Sequence, residues 1–540
     1  MIQQNLHKVF RCVLYESGIL VTKYGIMTNI IMGNGGHILG EMMDGETAGY
    51  RRRLIDARLE RELAQRPTVE LYGITHAGKA ATARAHAASV CDLAEDGDAR
   101  DAACADPTLV IAGAEPRAML DCQAVPALGP AAEGYAEALA TAGTNGALIL
   151  TSSRGPAKSA GASSVASAPD AVAQLHMYPL SLQELGVSDG SASLEGLLEG
   201  EIRASRFAAG ASPNGAWVGV RADAGAGVSG VAGVGLGIGD GRGTLTTPEL
   251  ARWCCRGGWP ATCGFGAAAT VSEPSAQEVP DDEPRVETVR GYVDEILADA
   301  AAASGLSVAT AKALTWALAA HLGEIPDVSA LASGMEAATG MNPARDTIRT
   351  YLRLLEASQL AIPVSGWVPP GRNRAHMRVK PRYYFADPSI PAALLSDTPE
   401  GLLTRYRRLE KLLENLVLRD LLVYLEAAGG GEGGAAADEA GGNARVSYYQ
   451  ESAGLTATFV VERGGAGQPS GAGERDYRWG AVRVCLSDAE ADAAAKDLLK
   501  VRKRAKVPAP GFLAVVTGRG GYPTKRADGV YVVPIASLGA

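Results

Sequence analysis

The chain has 540 residues, 47% of them hydrophobic and 21% charged, with a formal net charge of −9. That length exceeds one ordinary core, so about three domains are expected, and the composition is globular rather than disordered. The acidic balance excludes a protein that coats nucleic acid over its whole surface, while leaving room for a local basic patch.

The densest basic run, Lys500, Arg502, Lys503, Arg504 and Lys506, reads most simply as a solvated helix face. The eight cysteines contain no CxxC pair, which speaks against a zinc knuckle or a redox pair and fits a reducing cytosol. The longest apolar run, 19–32, is interrupted by Lys23 and Asn29 and falls short of a membrane span. It also lacks a basic leader and a cleavage site, so the expectation is a cytoplasmic protein with no signal peptide and no membrane partner.

Residues 1–48 carry no clear pattern and are expected to be an extension ahead of a sharper start at Tyr50-Arg51-Arg52-Arg53-Leu54. From 66 to about 200, short apolar runs alternate with helical segments: a strand at 69–72, an Ala-rich helix at 82–89, a strand ending at Leu120 and another at 147–150. Alternation of that kind predicts a parallel α/β sheet covered on both faces. Residues 205–245 are dominated by Gly and Ala and are expected to be a linker. A helix and turn at 246–260 and an acidic, Pro-containing linker at 274–284 follow, then a helical region to about 380. The last section, 381–540, holds a helix over 402–424, a Gly-rich break, and strands at 446–449, 458–461, 481–486, 512–516 and 530–533, a smaller α/β domain.

Gly73-Ile74-Thr75-His76-Ala77-Gly78-Lys79-Ala80 follows the first strand and opens a helix. This is the GxxxxGK spacing of a loop that holds phosphate with its amides and its lysine at a helix N-terminus. Gly73, Gly78, Lys79, Ala80 and Ala81 are the expected nucleotide contacts. The residue after the lysine is ordinarily Ser or Thr, whose hydroxyl binds Mg²⁺; Ala80 offers no ligand. The next strand ends in Asp121, suited to holding Mg²⁺ indirectly, and is followed by Cys122 where a Glu ordinarily polarises the attacking water.

These elements, in order with Leu120-Asp121-Cys122-Gln123-Ala124-Val125-Pro126, Ile149-Leu150-Thr151-Ser152-Ser153 and Met177-Tyr178-Pro179-Leu180-Ser181-Leu182-Gln183-Glu184-Leu185, resemble one bacterial family. It comprises AAA-type ATP-binding proteins that carry a C-terminal domain of unknown function with a restriction-endonuclease-like core. The resemblance continues through Arg256-Gly257-Gly258-Trp259-Pro260, residues 347–356, Tyr383-Tyr384-Phe385-Ala386-Asp387-Pro388, Leu413-Glu414-Asn415-Leu416-Val417 and the tail at 528–535. It spans about 50–540, the Gly-rich insertions being unmatched. It implies a phosphate-loop domain over 49–204, with Asp121 and Thr151 as the remaining catalytic and sensing side chains and Asp121 as a weak metal ligand. The family also places an Arg shortly before the Pro-Leu-Ser element; the matching stretch, Asp170-Ala171-Val172-Ala173-Gln174, has none.

Residues 329–356 suggest a helix–turn–helix, which the resemblance places in a winged-helix unit, and Arg345, Arg349 and Arg353 recur every fourth residue on its second helix. That spacing suits a DNA-contacting helix, though it reads more simply as a solvated basic face on a packing helix. The resemblance also implies a nuclease-like final domain, whose metal site would take an Asp and a Glu-x-Lys. Here Thr458, Arg483 and Cys485 stand at those positions and Glu414 survives on the preceding helix, so no hard-cation site is expected. The expected function is ATP binding with weak or absent hydrolysis and a weakened use of Mg²⁺. A working ATPase with substitute residues such as Thr82 or Thr151, and a DNA-associated regulator acting through 329–356, are the alternatives. A homo-oligomer is compatible with each.

Overall fold

In a computed structural model the described residues are 21–22, 25–26, 50–155, 171–200, 244–263, 283–369, 377–429, 444–464, 477–505, 507 and 509–540. The expected linkers at 205–245 and 274–284 therefore lie almost wholly outside them. Residues 1–46 form one unit, in which β1 (Val21–Thr22) and β2 (Gly25–Ile26) pair antiparallel. A second unit runs from Thr47 to Ala540.

Within the second unit the first sheet is wholly parallel. Its strands are β3 (Thr68–Tyr72), β4 (Ser89–Asp92), β5 (Arg117–Leu120), β6 (Leu148–Ser152) and β7 (Val172–His176), in the spatial order β4-β5-β6-β3-β7. Side chains alternate between its faces. Val69, Leu71, Ala118, Leu120 and Ile149 pack in one core with Leu59 and Leu63 of α1 (Asp56–Gln65). Met119, Leu148 and Leu150 pack in another with Leu128 and Ala132 of α5 (Leu128–Ala142). The crossover after β3 is α2 (Lys79–His86), and α3 (Gly97–Ala105) with α4 (Thr108–Ile111) connects β4 to β5. Because β6 lies between β3 and β5, the loop after β3 and the ends of β5 and β6 meet at one carboxyl edge. The strand ending at Asp121 is the third of the sheet, not the second: β4 intervenes, with Val90 exposed and Cys91 as its one buried residue.

A short strand β8 (Ala192–Ser193) and α6 (Leu194–Glu199) end this part. The helical body that follows begins with α7 (Thr247–Arg256), whose start is fixed by a capping box between Thr246 and Glu249 with Pro248 in the first turn. Next come α8 (Glu283–Ser304), α9 (Val308–Ala320), α10 (Val328–Thr339) and α11 (Arg345–Ala357). On α11, Ile348, Tyr351, Leu352 and Leu355 face inward and Arg345, Arg349 and Arg353 face solvent. An antiparallel hairpin, β9 (Ala361–Val364) with β10 (Arg382–Phe385), succeeds these helices. The expected boundary at 380/381 cuts this hairpin. The body continues through α12 (Ser389–Leu394), which packs on α8 and α9, and α13 (Pro399–Leu402), which packs on α7.

The last sheet has the order β11-β12-β13-β14-β16-β15. β11 (Ala444–Gln450), β12 (Thr456–Arg463) and β13 (Arg478–Cys485) are antiparallel neighbours. α15 (Ala491–Ala505) then crosses over to β14 (Phe512–Thr517), parallel to β13. β16 (Tyr531–Pro534) lies parallel beyond β14 and carries the edge strand β15 (Thr524–Lys525). The tail, β17 (Leu538–Gly539), returns to pair with β8.

Between these parts runs α14 (Tyr406–Ala427), buried from Leu412 to Glu426. Its polar side chains serve as ties rather than as a wet face. Asn415 exchanges two hydrogen bonds with the backbone of Phe385, and Arg419 donates to both Asp387 and Asp420. Asp420 accepts the Leu182 amide, and Glu426 accepts from Arg58 and from the His176 amide. A helix buried all round must satisfy every polar group it carries, which is why these partners come from other elements. Among the described residues no helix is long and apolar enough to cross a membrane.

Candidate functional site

β3 ends at Tyr72 and the chain turns through Gly73–Gly78 into α2. A Cβ on Gly73 would lie 2.1 Å from the carbonyl oxygen of Met177, so only glycine lets the loop leave the sheet beside β7. Gly78, at φ +101°, is the N-cap of α2, and no side chain caps that terminus. The first amides of α2 are thus left for a ligand, and the helix dipole favours an anion there.

Lys79 closes the loop on itself. Its Nζ donates to the carbonyl oxygens of Gly73 at 2.9 Å and Ile74 at 2.8 Å. Two of its three ammonium protons are used in this way and one remains for a ligand. Burial lowers its pKa to about 8, against an opposing pull from Asp121. Ala80 is half-buried and Ala81 exposed, and neither brings a polar side chain to the loop.

Asp121 follows β5 in the left-handed region, at φ 56° and ψ 46°. A non-glycine residue rarely sits there, and two contacts hold it. Its amide donates to Thr151 Oγ1 at 2.9 Å, and Gln123 Nε2 donates to its Oδ1 at 3.0 Å. Gln123 Oε1 in turn accepts the Ser153 amide at 3.1 Å, bridging the ends of β5 and β6. Thr151 therefore holds the Asp121 backbone at the end of β5. The Cys122 thiol donates to the Met119 carbonyl and burial pushes its pKa up to about 12, so it stays protonated and is no base. Thr82 is fully buried, and its hydroxyl bonds to that of Tyr50, which also donates to Asp56; it is engaged away from the loop mouth.

The stretch at 170–174, where the resemblance places an Arg, starts at the far end of its strand. Thr68 pairs with Val172 and Tyr72 with His176, so Ala171 lies at the amino edge of the sheet, about 16 Å along the strand from the carboxyl edge. Ala171 is thus remote from the loop at 73–81. Asp170 lies outside the described residues. His176, not Gln174, adjoins the loop, its ring stacked between Tyr72 at 4.6 Å and Tyr178 at 3.9 Å. Burial, reinforced by the charge of Lys79, lowers its pKa to about 3 and keeps it neutral.

Further residues, none of them a fixed position of the GxxxxGK pattern, surround the loop. Arg53 lies buried behind the loop with Glu184. His76, at the loop's apex, stacks on Tyr292 of α8 at 3.9 Å and places Nε2 2.9 Å from Glu295 Oε2. Pro260 approaches Gly78 from the Arg256-Gly257-Gly258-Trp259-Pro260 segment. Arg53 and Glu184 sit in segments that the sequence marks only as a sharp start and a family signature, and nothing in either signals contact with the loop.

In the last sheet, the Thr458 hydroxyl accepts the Val484 amide at 3.1 Å, and burial pushes the Cys485 thiol up to about 12. Glu414 is paired with Lys411 at 3.0 Å and accepts the Tyr384 hydroxyl at 3.1 Å. These residues form an ion pair and sheet contacts rather than a carboxylate cluster. Among the described residues no group of three or more His, Cys, Asp or Glu side chains is arranged to hold a metal ion.

Comparison with family models matches residues 247–401 to a domain of unknown function (DUF8612). The match spans α7 through α13, the helical body with its hairpin. No curated protein matches the sequence. Among solved structures, the chain is similar to the Walker-type ATPase PabY2304 of Pyrococcus abyssi at 13% identity, covering 63% of this chain and 94% of that one with a TM-score of 0.34. The strand order and the loop geometry carry the assignment of a phosphate-loop-like α/β domain.

Proposed function

We propose that this chain is an AAA-type protein that binds ATP or ADP through residues 73–81 and hydrolyses it weakly or not at all. The supporting observation is the loop itself, at the carboxyl edge of a parallel sheet, with its uncapped helix start and with Lys79 held by two loop carbonyls. Such a cradle needs no hydroxyl to hold phosphate.

Mg²⁺ fits this donor set poorly. Ala80 has no ligand atom, and Asp121 already shares one carboxylate oxygen with Gln123. Hydrolysis lacks its base at Cys122. Among the substitutes considered, Thr82 is bonded to Tyr50 and Thr151 to the Asp121 amide. What the residues present can do is bind the phosphates, orient them and exclude water from the lysine. Losing an oriented charge typically costs orders of magnitude in phosphoryl transfer.

Calorimetric titration with ATP and with ADP, each with and without Mg²⁺, tests the proposal. Binding that Mg²⁺ improves only slightly and that Lys79→Ala abolishes is expected. No binding at millimolar nucleotide overturns it. A steady turnover of about one per second or more, an ordinary enzyme rate, overturns the hydrolysis part.

A further inference from the structure

The guanidinium of Arg53 is among the most fully engaged groups near the loop. Nε donates to Glu184 Oε1 at 2.7 Å, one terminal nitrogen to the carbonyl oxygen of Ala77 at 2.9 Å, and the other to that of Tyr178 at 3.0 Å. The side chain is buried, as is its partner Glu184. Glu184 also accepts the amides of Leu54 and Ser181, at 3.0 and 2.8 Å. The guanidinium is thus fixed from behind before it touches the loop.

We propose that Arg53 is a positioning residue that sets the phosphate-binding orientation of the Ala77–Gly78 peptide, an inference that rests on the nucleotide reading above. In a trans peptide the carbonyl and the following N–H point in opposite directions. Pinning the Ala77 oxygen to Arg53 on the back of the loop therefore turns the Gly78 N–H away from Arg53, toward the front. Gly78 accepts this peptide orientation only with φ +101°, and a Cβ there would come 3.3 Å from the guanidinium. Glu184 neutralises the guanidinium charge at 2.7 Å, so Arg53 acts through direction rather than through attraction of phosphate. A lysine keeps the charge but cannot span three acceptors in one plane.

The test compares wild type with Arg53→Lys and with the double variant Arg53→Met/Glu184→Gln, which leaves no unpaired buried charge. Inorganic triphosphate and ADP are the titrants, and thermal unfolding without ligand monitors the fold. A charge-assisted amide contact predicts a loss of about ten- to hundredfold in triphosphate affinity in both variants, with the double variant still folded. In Arg53→Ala, millimolar methylguanidinium should recover part of the affinity and methylammonium none, which a purely structural role would not produce. Folded variants that bind triphosphate as tightly as wild type overturn the inference while leaving the nucleotide reading intact. A wild-type protein that binds neither titrant overturns both.

Discussion

Raising the pH probes the lysine directly. In the ligand-free loop, burial holds Lys79 at about 8, so at pH 7 it is charged and at pH 9.5 only about 3% of molecules carry the proton. Polyphosphate against the ammonium should return the group at least to the ordinary lysine value of about 10.4. Linkage then requires the dissociation constant to weaken about thirtyfold between pH 7 and 9.5, about 2 kcal/mol, with uptake of about 0.9 proton per nucleotide at the higher pH. The phosphate groups are fully ionised above pH 8, so from there to pH 9.5, where most of the change falls, they add no slope of their own. The sign for the empty protein is the reverse of the usual lysine case. A folded-state pKa below the unfolded one favours the neutral amine, so stability rises as the pH passes from 8 toward 10.5. Calorimetry in buffers of different ionisation heat measures affinity and proton uptake together. An affinity constant within threefold across this range, with no buffer-dependent heat, would refute the buried, loop-bound lysine as the phosphate contact.

Arg419→Met should destabilise the protein by about 3–5 kcal/mol near neutral pH, since it strands Asp387 and Asp420 in the interior without a counter-ion. Burial already raises the Asp420 pKa, so the variant should regain stability as the pH falls toward 5, and thermal unfolding at both pH values checks the sign. Plasmid incubated with the pure protein and Mg²⁺ or Mn²⁺ should stay unnicked; cleavage that EDTA and Glu414→Ala abolish would contradict the ion-pair role of Glu414. Ala80→Thr with Cys122→Glu should raise ATP turnover above either single change, because such groups act together. Adding Ala171→Arg should cost stability without further turnover, because that position is buried at the far edge of the sheet.

The phosphate loop was legible because its chemistry is local: glycine, lysine and a helix start within eight residues. The strands of the last sheet were legible for the same reason, as β-branched and aromatic runs between turns. β4 was not, since Ser89-Val90-Cys91-Asp92 buries only Cys91 and reads as loop. The stretch at 170–174 entered only through the resemblance, and its place at the amino edge of the sheet could not be read from the sequence. A parallel strand carries its two ends to opposite edges of the sheet, and the loop lies at the edge occupied by His176. Arg53 and Glu184 stand 131 residues apart, and no periodicity links them. Nor does the pattern of α14 disclose that its charges are buried, for a helix with Glu414, Arg419, Asp420 and Glu426 looks wet until its partners are known.

The groups that back the loop at 73–81 and the groups that hydrolysis would require stand in different relations to the fold. Lys79, Arg53, Glu184 and His176 are all buried, and each contacts atoms that the loop or its backing needs in place. Removing Arg53 or Glu184 alone strands its charged partner in the interior, at a cost of about 3–5 kcal/mol. A magnesium hydroxyl at position 80 or a carboxylate at position 122 would satisfy nothing in the empty protein. Ala80 leaves no buried polar atom unpaired, and the Cys122 thiol finds the Met119 carbonyl. The packing of Arg53 and Glu184 behind the loop thus has a structural value that a magnesium hydroxyl or a catalytic carboxylate would not have. On the proposed reading, a chain could lose the second set and keep the first without loss of fold.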